Sequence, residues 1–164
     1  GHRMTTAKES ISPLTAFTVI VFWSCILLGL GIPWIATIAV DVSKHDQSLA
    51  EAIHQWQLHL FAPGYNLFLI GIFNAIPFVL FAVFTLFHMG LAPSEDRRLC
   101  GRRGTGVLVV TIGLIGLSTW THVMTLWYPD AQGALAYLFL PVLLLGLMPV
   151  GYALGRGLGT LIFR

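Results

Sequence analysis

The chain has little charge and little cysteine. Only 10% of its 164 residues are Asp, Glu, Lys or Arg, whereas ordinary soluble domains have roughly 25%. Two cysteines exclude a disulfide framework, a cysteine-rich zinc site and a Cys-x-x-Cys redox pair. The formal net charge is only +2 and no basic face carries interleaved aromatic residues, so we expect no nucleic-acid partner.

Long apolar runs dominate what is present. Hydrophobic residues make up 56% of the chain and the mean hydropathy is +0.81. Four uncharged apolar stretches are long enough to cross about 30 Å of hydrocarbon, and they cover about 16–40, 62–89, 106–128 and 134–155. Because backbone groups in lipid must be paired within the segment, these stretches must be helices. The predicted fold class is an all-α integral membrane protein with four transmembrane helices.

The chain organisation is simple. We expect residues 4–164 to form a single four-helix transmembrane domain. Residues 1–3, which precede Met4, resemble the remnant of a cleaved expression tag.

The basic residues predict the orientation. Eight of the nine lie on one side of the predicted topology, at the amino terminus, between the second and third spans, and after the fourth. Only Lys44 lies on the other side. Cytoplasmic segments are enriched in Lys and Arg, so we expect both termini to be cytoplasmic. The expected location is a bacterial inner (plasma) membrane.

The segment between the first two spans predicts a short amphipathic helix on the outer surface, over about 48–60. Ser48 and Glu51 have the spacing of a capping box, which opens a helix. Apolar residues then recur at helical spacing and give one apolar face, namely Leu49, Ile53, Trp56 and Leu60.

Polar side chains cluster on one face of the second and third spans. On a helical wheel of about 100° per residue, Asn66 and Asn74 share a face of the second span. Polar residues of the third span lie at the same depth as those of the second. Together they predict an outward-facing cleft, lined by Asn66, Asn74, Ser118, Thr119, His122 and Thr125. A second interpretation is that these residues only form hydrogen bonds that join helices.

A stripe of small residues lies on the opposite face of the second span. It consists of Gly64, Gly71, Ala75 and Ala82. Such stripes let helices approach closely, and together with the glycines of the fourth span they predict a homo-oligomer.

Histidines at the outer face suggest a second kind of site. Imidazole and carboxylate ligands could hold Zn²⁺ or Cu²⁺, and the candidates are Glu51, His54, His59 and His122. Haem would need two histidines at matched depth, for which His59 and His122 are the only candidate pair. The alternative is that the outer histidines are solvated surface residues that bind no metal. The sequence as a whole requires no cofactor.

No catalytic motif is present, so the sequence leans away from an enzyme. The first hypothesis is a protein whose cleft binds or passes a small polar or amphipathic ligand: a channel, a facilitator or a lipid-binding protein. The alternatives are a metal- or haem-binding enzyme or redox subunit, and a ligand-free assembly or scaffold subunit. Membrane lipids are the expected partners.

Overall fold

The described part of the chain is built from helices alone. A computed structural model describes residues 11–164, and within that range it has no strand. The helices are α1 Pro13–Ser43, α2 Leu49–His59, α3 Leu67–Gly90, α4 Arg97–Trp127 and α5 Gly133–Ile162. All except α2 are long and apolar enough to cross a membrane, which is consistent with an integral membrane protein. The predicted tag remnant lies outside the described residues.

Side-chain caps determine where the first four helices begin. In each case the N-cap side chain accepts a hydrogen bond from the backbone N–H three residues later, which satisfies a donor that the helix itself leaves unpaired. These N-cap residues are Ser12, Ser48, Asn66 and Asp96. At α2 the Glu51 side chain also accepts from the Ser48 backbone, so the capping box is complete. That α2 lies on a membrane surface stays a prediction.

The second spanning helix starts later than the sequence predicted. It begins at Leu67 rather than near residue 62. Gly64 has a φ of 81°, a left-handed conformation that ends helical geometry, and it follows Pro63. Asn66 is therefore the N-cap of α3 and lies just before the helix rather than within it.

The third spanning helix starts earlier than predicted. It begins at Arg97 rather than near residue 106, because Asp96 caps it and arginine is a favourable helix former. The sequence prediction, which relied on uncharged apolar residues, detected only the part of α4 from about residue 106 onward. The arginines of the predicted loop are therefore held on a rigid helical extension, and the connection from α3 is short.

The helices pack in the cyclic order α1, α3, α5, α4. The most extensive contacts are between α1 and α3 and between α4 and α5, whereas α3 and α4 contact each other less than either contacts its two neighbours in this order. The expectation of a cleft between neighbouring α3 and α4 was wrong in this respect. The polar faces of α3 and α4 meet diagonally, in the centre of the bundle, because α1 and α5 fill the space on either side.

Glycine brings the helices of each pair close together. A Cβ on Gly29 of α1 would lie 2.5 Å from the Phe78 Cβ of α3. A Cβ on Gly155 of α5 would lie 2.6 Å from the Cα of Gly106 of α4. Gly71, in the small-residue stripe of α3, faces Trp34 and Leu30 of α1. This part of the stripe is used inside the chain, and a homo-oligomer stays a prediction that needs another surface.

The two ends of the bundle differ in charge. We call the end where α3 finishes and α4 starts the arginine end; its arginines are Arg97, Arg98, Arg102, Arg103, Arg156 and Arg164. We call the opposite end, where α2 lies, the α2 end. There Lys44 donates a hydrogen bond to the Trp127 carbonyl, which ties the end of α1 to the end of α4.

Candidate functional site

Three buried polar side chains meet in the centre of the bundle. Asn74, Ser118 and His122 are each at most 2% exposed. The Asn74 Nδ2 donates to the Gly29 carbonyl at 2.6 Å. Its Oδ1 accepts from the Ser118 Oγ at 2.6 Å and lies 3.2 Å from the His122 Nε2. We call these three residues the central trio.

The central trio is closed rather than open. Because the Asn74 amide nitrogen donates to α1, its oxygen is the acceptor for both α4 side chains, and His122 donates through Nε2. The sequence predicted these residues at matching depth on two helices, and in the structure Asn74 contacts both Ser118 and His122. It wrongly placed them in an outward-facing polar cleft, because it could not show that α1 and α5 cover them.

Tyr137 of α5 separates the central trio from the α2 end. Its ring stacks on the His122 imidazole, with centroids 5.3 Å apart and planes at 19°. Its hydroxyl lies 3.4 Å from the Tyr65 hydroxyl. Partial burial raises the pKa of the Tyr65 phenol, which lies outside the spanning helices. The Tyr65 hydroxyl is therefore placed to act as a neutral hydrogen-bonding group.

A pocket of about 580 Å³ opens beside this tyrosine pair. We call it the α2-end pocket. It is lined by Gly64, Tyr65, Asn66, Leu69, Ile70, Phe73, Thr125, Leu126, Pro129, Asp130, Gly133, Ala134, Tyr137 and Leu138. Most of this wall is apolar, and its few polar groups come from the loop residues, the two tyrosines and Thr125 of α4. This is the composition of a site that holds an apolar body and orients one polar group.

The other predicted cleft residues have separate positions. Asn66 lines the pocket, although its Oδ1 accepts the capping hydrogen bond from the Leu69 N–H. Thr125 also lines the pocket, and its hydroxyl donates to the Thr121 carbonyl at 2.7 Å. Thr119 is exposed and belongs neither to the pocket nor to the central trio.

Sequence reasoning missed both Tyr65 and Tyr137. It assigned the fourth span to packing and lipid contact, and it gave no role to Tyr65, which fell within the predicted second span. A signal was present, because Tyr137 and Tyr152 are the only polar side chains of the predicted fourth span, 134–155. Each of them contacts a histidine: Tyr137 stacks on His122, and Tyr152 is hydrogen-bonded to His88.

The predicted metal ligands do not converge. No group of three or more His, Cys, Asp or Glu side chains within residues 11–164 is arranged to hold a metal ion. Glu51 belongs to the capping box, His54 is exposed, and the His59 Nδ1 lies 2.9 Å from the Gln55 carbonyl. His122 is in the central trio. The rings of Tyr65 and Tyr137 lie between His59 and His122, so this pair does not face a shared haem site.

A smaller polar pocket adjoins the first. It has a volume of about 250 Å³, and its wall includes Asp41, Gln47, His59 and Tyr65. The Gln47 Oε1 is buried there without a hydrogen-bond partner. Tyr65 lines both pockets, so it forms the wall between an apolar and a polar compartment.

Comparisons of the chain with protein-family models, with curated proteins and with solved structures found no significant match. The site therefore has to be interpreted from its own geometry.

Proposed function

We propose that this protein is a membrane-embedded binding protein that holds a small amphipathic molecule, a lipid or a lipid-like compound, in the α2-end pocket. The observation that carries the proposal is the pocket itself. Its volume of about 580 Å³ lies within the range of roughly 300–1,000 Å³ that small-molecule sites occupy.

The chemistry of the wall supports an amphipathic occupant. Leu69, Phe73 and Leu138 give it an apolar surface that suits an alkyl or ring system. The Tyr137 hydroxyl and the loop residue Asp130 supply polar groups on the same wall. A ligand with one polar group would satisfy these groups and would bury apolar surface against the helices.

The centre of the bundle favours binding over conduction. All three members of the central trio are hydrogen-bonded, and Tyr137 covers His122 on the pocket side. A polar solute passing through the bundle would have to break this network, and buried polar groups without partners are costly. Transport would therefore require rearrangement of the central trio, whereas binding requires none.

The proposal places the arginine end in the cytoplasm. Six of the nine basic residues lie at that end among the described helices and their flanks, and the positive-inside rule then puts the α2-end pocket at the outer face. In this orientation α2 lies at the outer surface of a bacterial inner membrane, and the ligand enters from the outer leaflet or from outside.

Photolabelling tests the proposal directly. The probe is a diazirine-bearing palmitic acid added to the protein in phosphatidylcholine nanodiscs, with labelled residues located by mass spectrometry. We expect labelling within residues 64–73 and 125–138 that saturates and is competed by unlabelled palmitic acid. Labelling of the outer helix faces should neither saturate nor respond to competition.

Two tryptophan variants provide the matched comparison. Ala134→Trp fills the pocket, whereas Ala153→Trp adds the same volume at an exposed position of α5 that lines neither pocket described above. Competable labelling should fall about tenfold in the first variant, which corresponds to about 1.4 kcal/mol of binding free energy, and should persist in the second. Equal labelling in both variants would reject the pocket as a binding site.

A further inference from the structure

A second groove lies at the arginine end, between α3 and α5. It has a volume of about 530 Å³ and is separate from the α2-end pocket. We call it the α3–α5 groove, and the residues that define it are Leu80, Phe84, His88, Leu145, Pro149 and Tyr152. Most of its wall is apolar, and its polar groups are confined to His88 and Tyr152 at the end nearest the arginines.

The polar end of this groove is organised by hydrogen bonds. The His88 ring is hydrogen-bonded to the Tyr152 hydroxyl through Nε2 and stacks on Phe84, with centroids 4.8 Å apart. The Arg156 Nη1 donates to the same Tyr152 hydroxyl at 3.2 Å. The Arg103 Nη1 donates to the His88 carbonyl at 2.7 Å. Two guanidinium groups are therefore held where the apolar groove ends.

The arginines at this site retain unused donors. A guanidinium carries five N–H donors, and the hydrogen bonds above use one Nη1 of Arg103 and one of Arg156. Both side chains are partly exposed, so their other Nη donors can bind an incoming anion. The nearest acidic residues along the chain, Glu95 and Asp96, are exposed, and Asp96 is engaged in capping α4.

We propose that the α3–α5 groove binds an anionic phospholipid. The phosphate is held by Arg103 and Arg156 beside the Tyr152 hydroxyl, and one acyl chain lies along Phe84 and Leu145. Charge complementarity identifies this occupant, because fixed guanidinium groups above an apolar groove match a lipid with a negative headgroup and an alkyl chain. The proposal is independent of the ligand in the α2-end pocket.

Native mass spectrometry tests this site. The protein is released from nanodiscs containing equal amounts of phosphatidylglycerol and phosphatidylcholine, and the lipids that stay bound are identified. We expect retention of one phosphatidylglycerol in preference to phosphatidylcholine. The double variant R103Q/R156Q should lose this preference about tenfold, because it removes two charge-assisted contacts.

The matched control is R97Q/R98Q. It removes the same charge from the same end, but both residues are exposed and, unlike Arg103 and Arg156, neither is hydrogen-bonded to His88 or Tyr152 of the groove. It should retain the preference for phosphatidylglycerol. Equal loss in the two double variants would mean diffuse attraction to the basic end, and would overturn a site in the groove.

A third variant keeps the test decisive if R103Q/R156Q does not fold. Leu145→Trp fills the apolar part of the groove and leaves the arginines intact, and Leu158→Trp is its exposed counterpart on α5. Retention of phosphatidylglycerol should fall in the first variant and not in the second. Unchanged retention in Leu145→Trp would reject a lipid chain in this groove.

Discussion

The two ends of the bundle use the same pairing of side chains in different surroundings. At the α2 end, Tyr137 of α5 stacks on His122 of α4, and at the arginine end Tyr152 of α5 is hydrogen-bonded to His88 of α3. A pocket of similar volume lies beside each pair, about 580 Å³ and about 530 Å³ respectively.

The difference lies in what satisfies each histidine. His122 is 2% exposed and pairs with Asn74, so it is part of the core. His88 is half-buried, and arginines contact its carbonyl and its tyrosine partner. One histidine–tyrosine pair therefore closes the centre of the bundle, whereas the other fixes charges at a surface groove. The same helix, α5, supplies the tyrosine in both cases.

A substitution that forces α5 away from α4 should disturb both ends of the bundle. It should have the largest effect on the free energy of unfolding. Gly155→Leu places a side chain against the Gly106 backbone, which cannot yield as a flexible side chain would. We expect a loss of at least about 3 kcal/mol, or failure to fold, because overpacking forces the backbone to move. Thermal unfolding in detergent, followed by tryptophan fluorescence, measures the effect.

Gly157→Leu is the matched control. A Cβ at Gly157 meets no atom within 4 Å, so the same substitution two residues away faces open space. It should leave the melting temperature nearly unchanged. Similar losses in the two variants would show that α4 and α5 do not depend on this close approach.

Removing the amide from the central trio should have an intermediate effect, because this amide links α3 to α1 and α4 in the centre of the bundle. Asn74→Leu leaves Ser118, His122 and the Gly29 carbonyl without their partner. We expect a loss of about 2–3 kcal/mol, since interhelical hydrogen bonds in membranes contribute roughly 0.6–2 kcal/mol each and are not additive. The free energy of unfolding can be measured by titration with SDS in mixed micelles.

Asn66→Leu provides the comparison for this variant. Asn66 caps α3 and touches no member of the central trio, so its loss should cost only about 1 kcal/mol. Bound phosphatidylglycerol at the arginine end should be unaffected by either variant. A larger loss from Asn66→Leu than from Asn74→Leu would contradict the role given to the central trio.

The smallest effect is expected at the arginine end. Thr85 is fully buried in α3 and its hydroxyl has no hydrogen-bond partner. Thr85→Val removes this unpaired group with little change in volume, so stability should rise by up to about 1 kcal/mol. Thr111→Val is its counterpart, because the Thr111 hydroxyl donates to the Val107 carbonyl, and it should show no gain. Destabilisation by Thr85→Val in the same SDS titration would contradict this assignment.

Apolar length and side-chain periodicity predicted part of this structure well. They located all four long apolar helices, and they indicated that Asn74 of one helix and Ser118 and His122 of another lie at a similar depth. They did not predict which helices pack side by side. A helical wheel shows how residues are arranged around one helix, but it does not show which other helix contacts each face. Tyr137 could not be placed next to His122 for that reason.

The helix ends show a second limit of sequence reasoning. Hydropathy reports how apolar a segment is, not where a helix begins. It therefore placed the start of α4 near residue 106 rather than at Arg97. The cap at Asp96 and the helix propensity of arginine determine the actual start. For α3 the reverse holds, because Gly64 and Pro63 keep an apolar segment out of the helix.

The pairing of α1 with α3 and of α4 with α5 also bears on biosynthesis. The first pair is complete before α4 has been synthesised, and Asn74 can already donate to the Gly29 carbonyl within that pair. Its Oδ1, however, acquires Ser118 and His122 only when the second pair enters the membrane. Until then the Asn74 Oδ1 lacks these two hydrogen-bond donors. It marks the position at which α4 packs against the pair of α1 and α3.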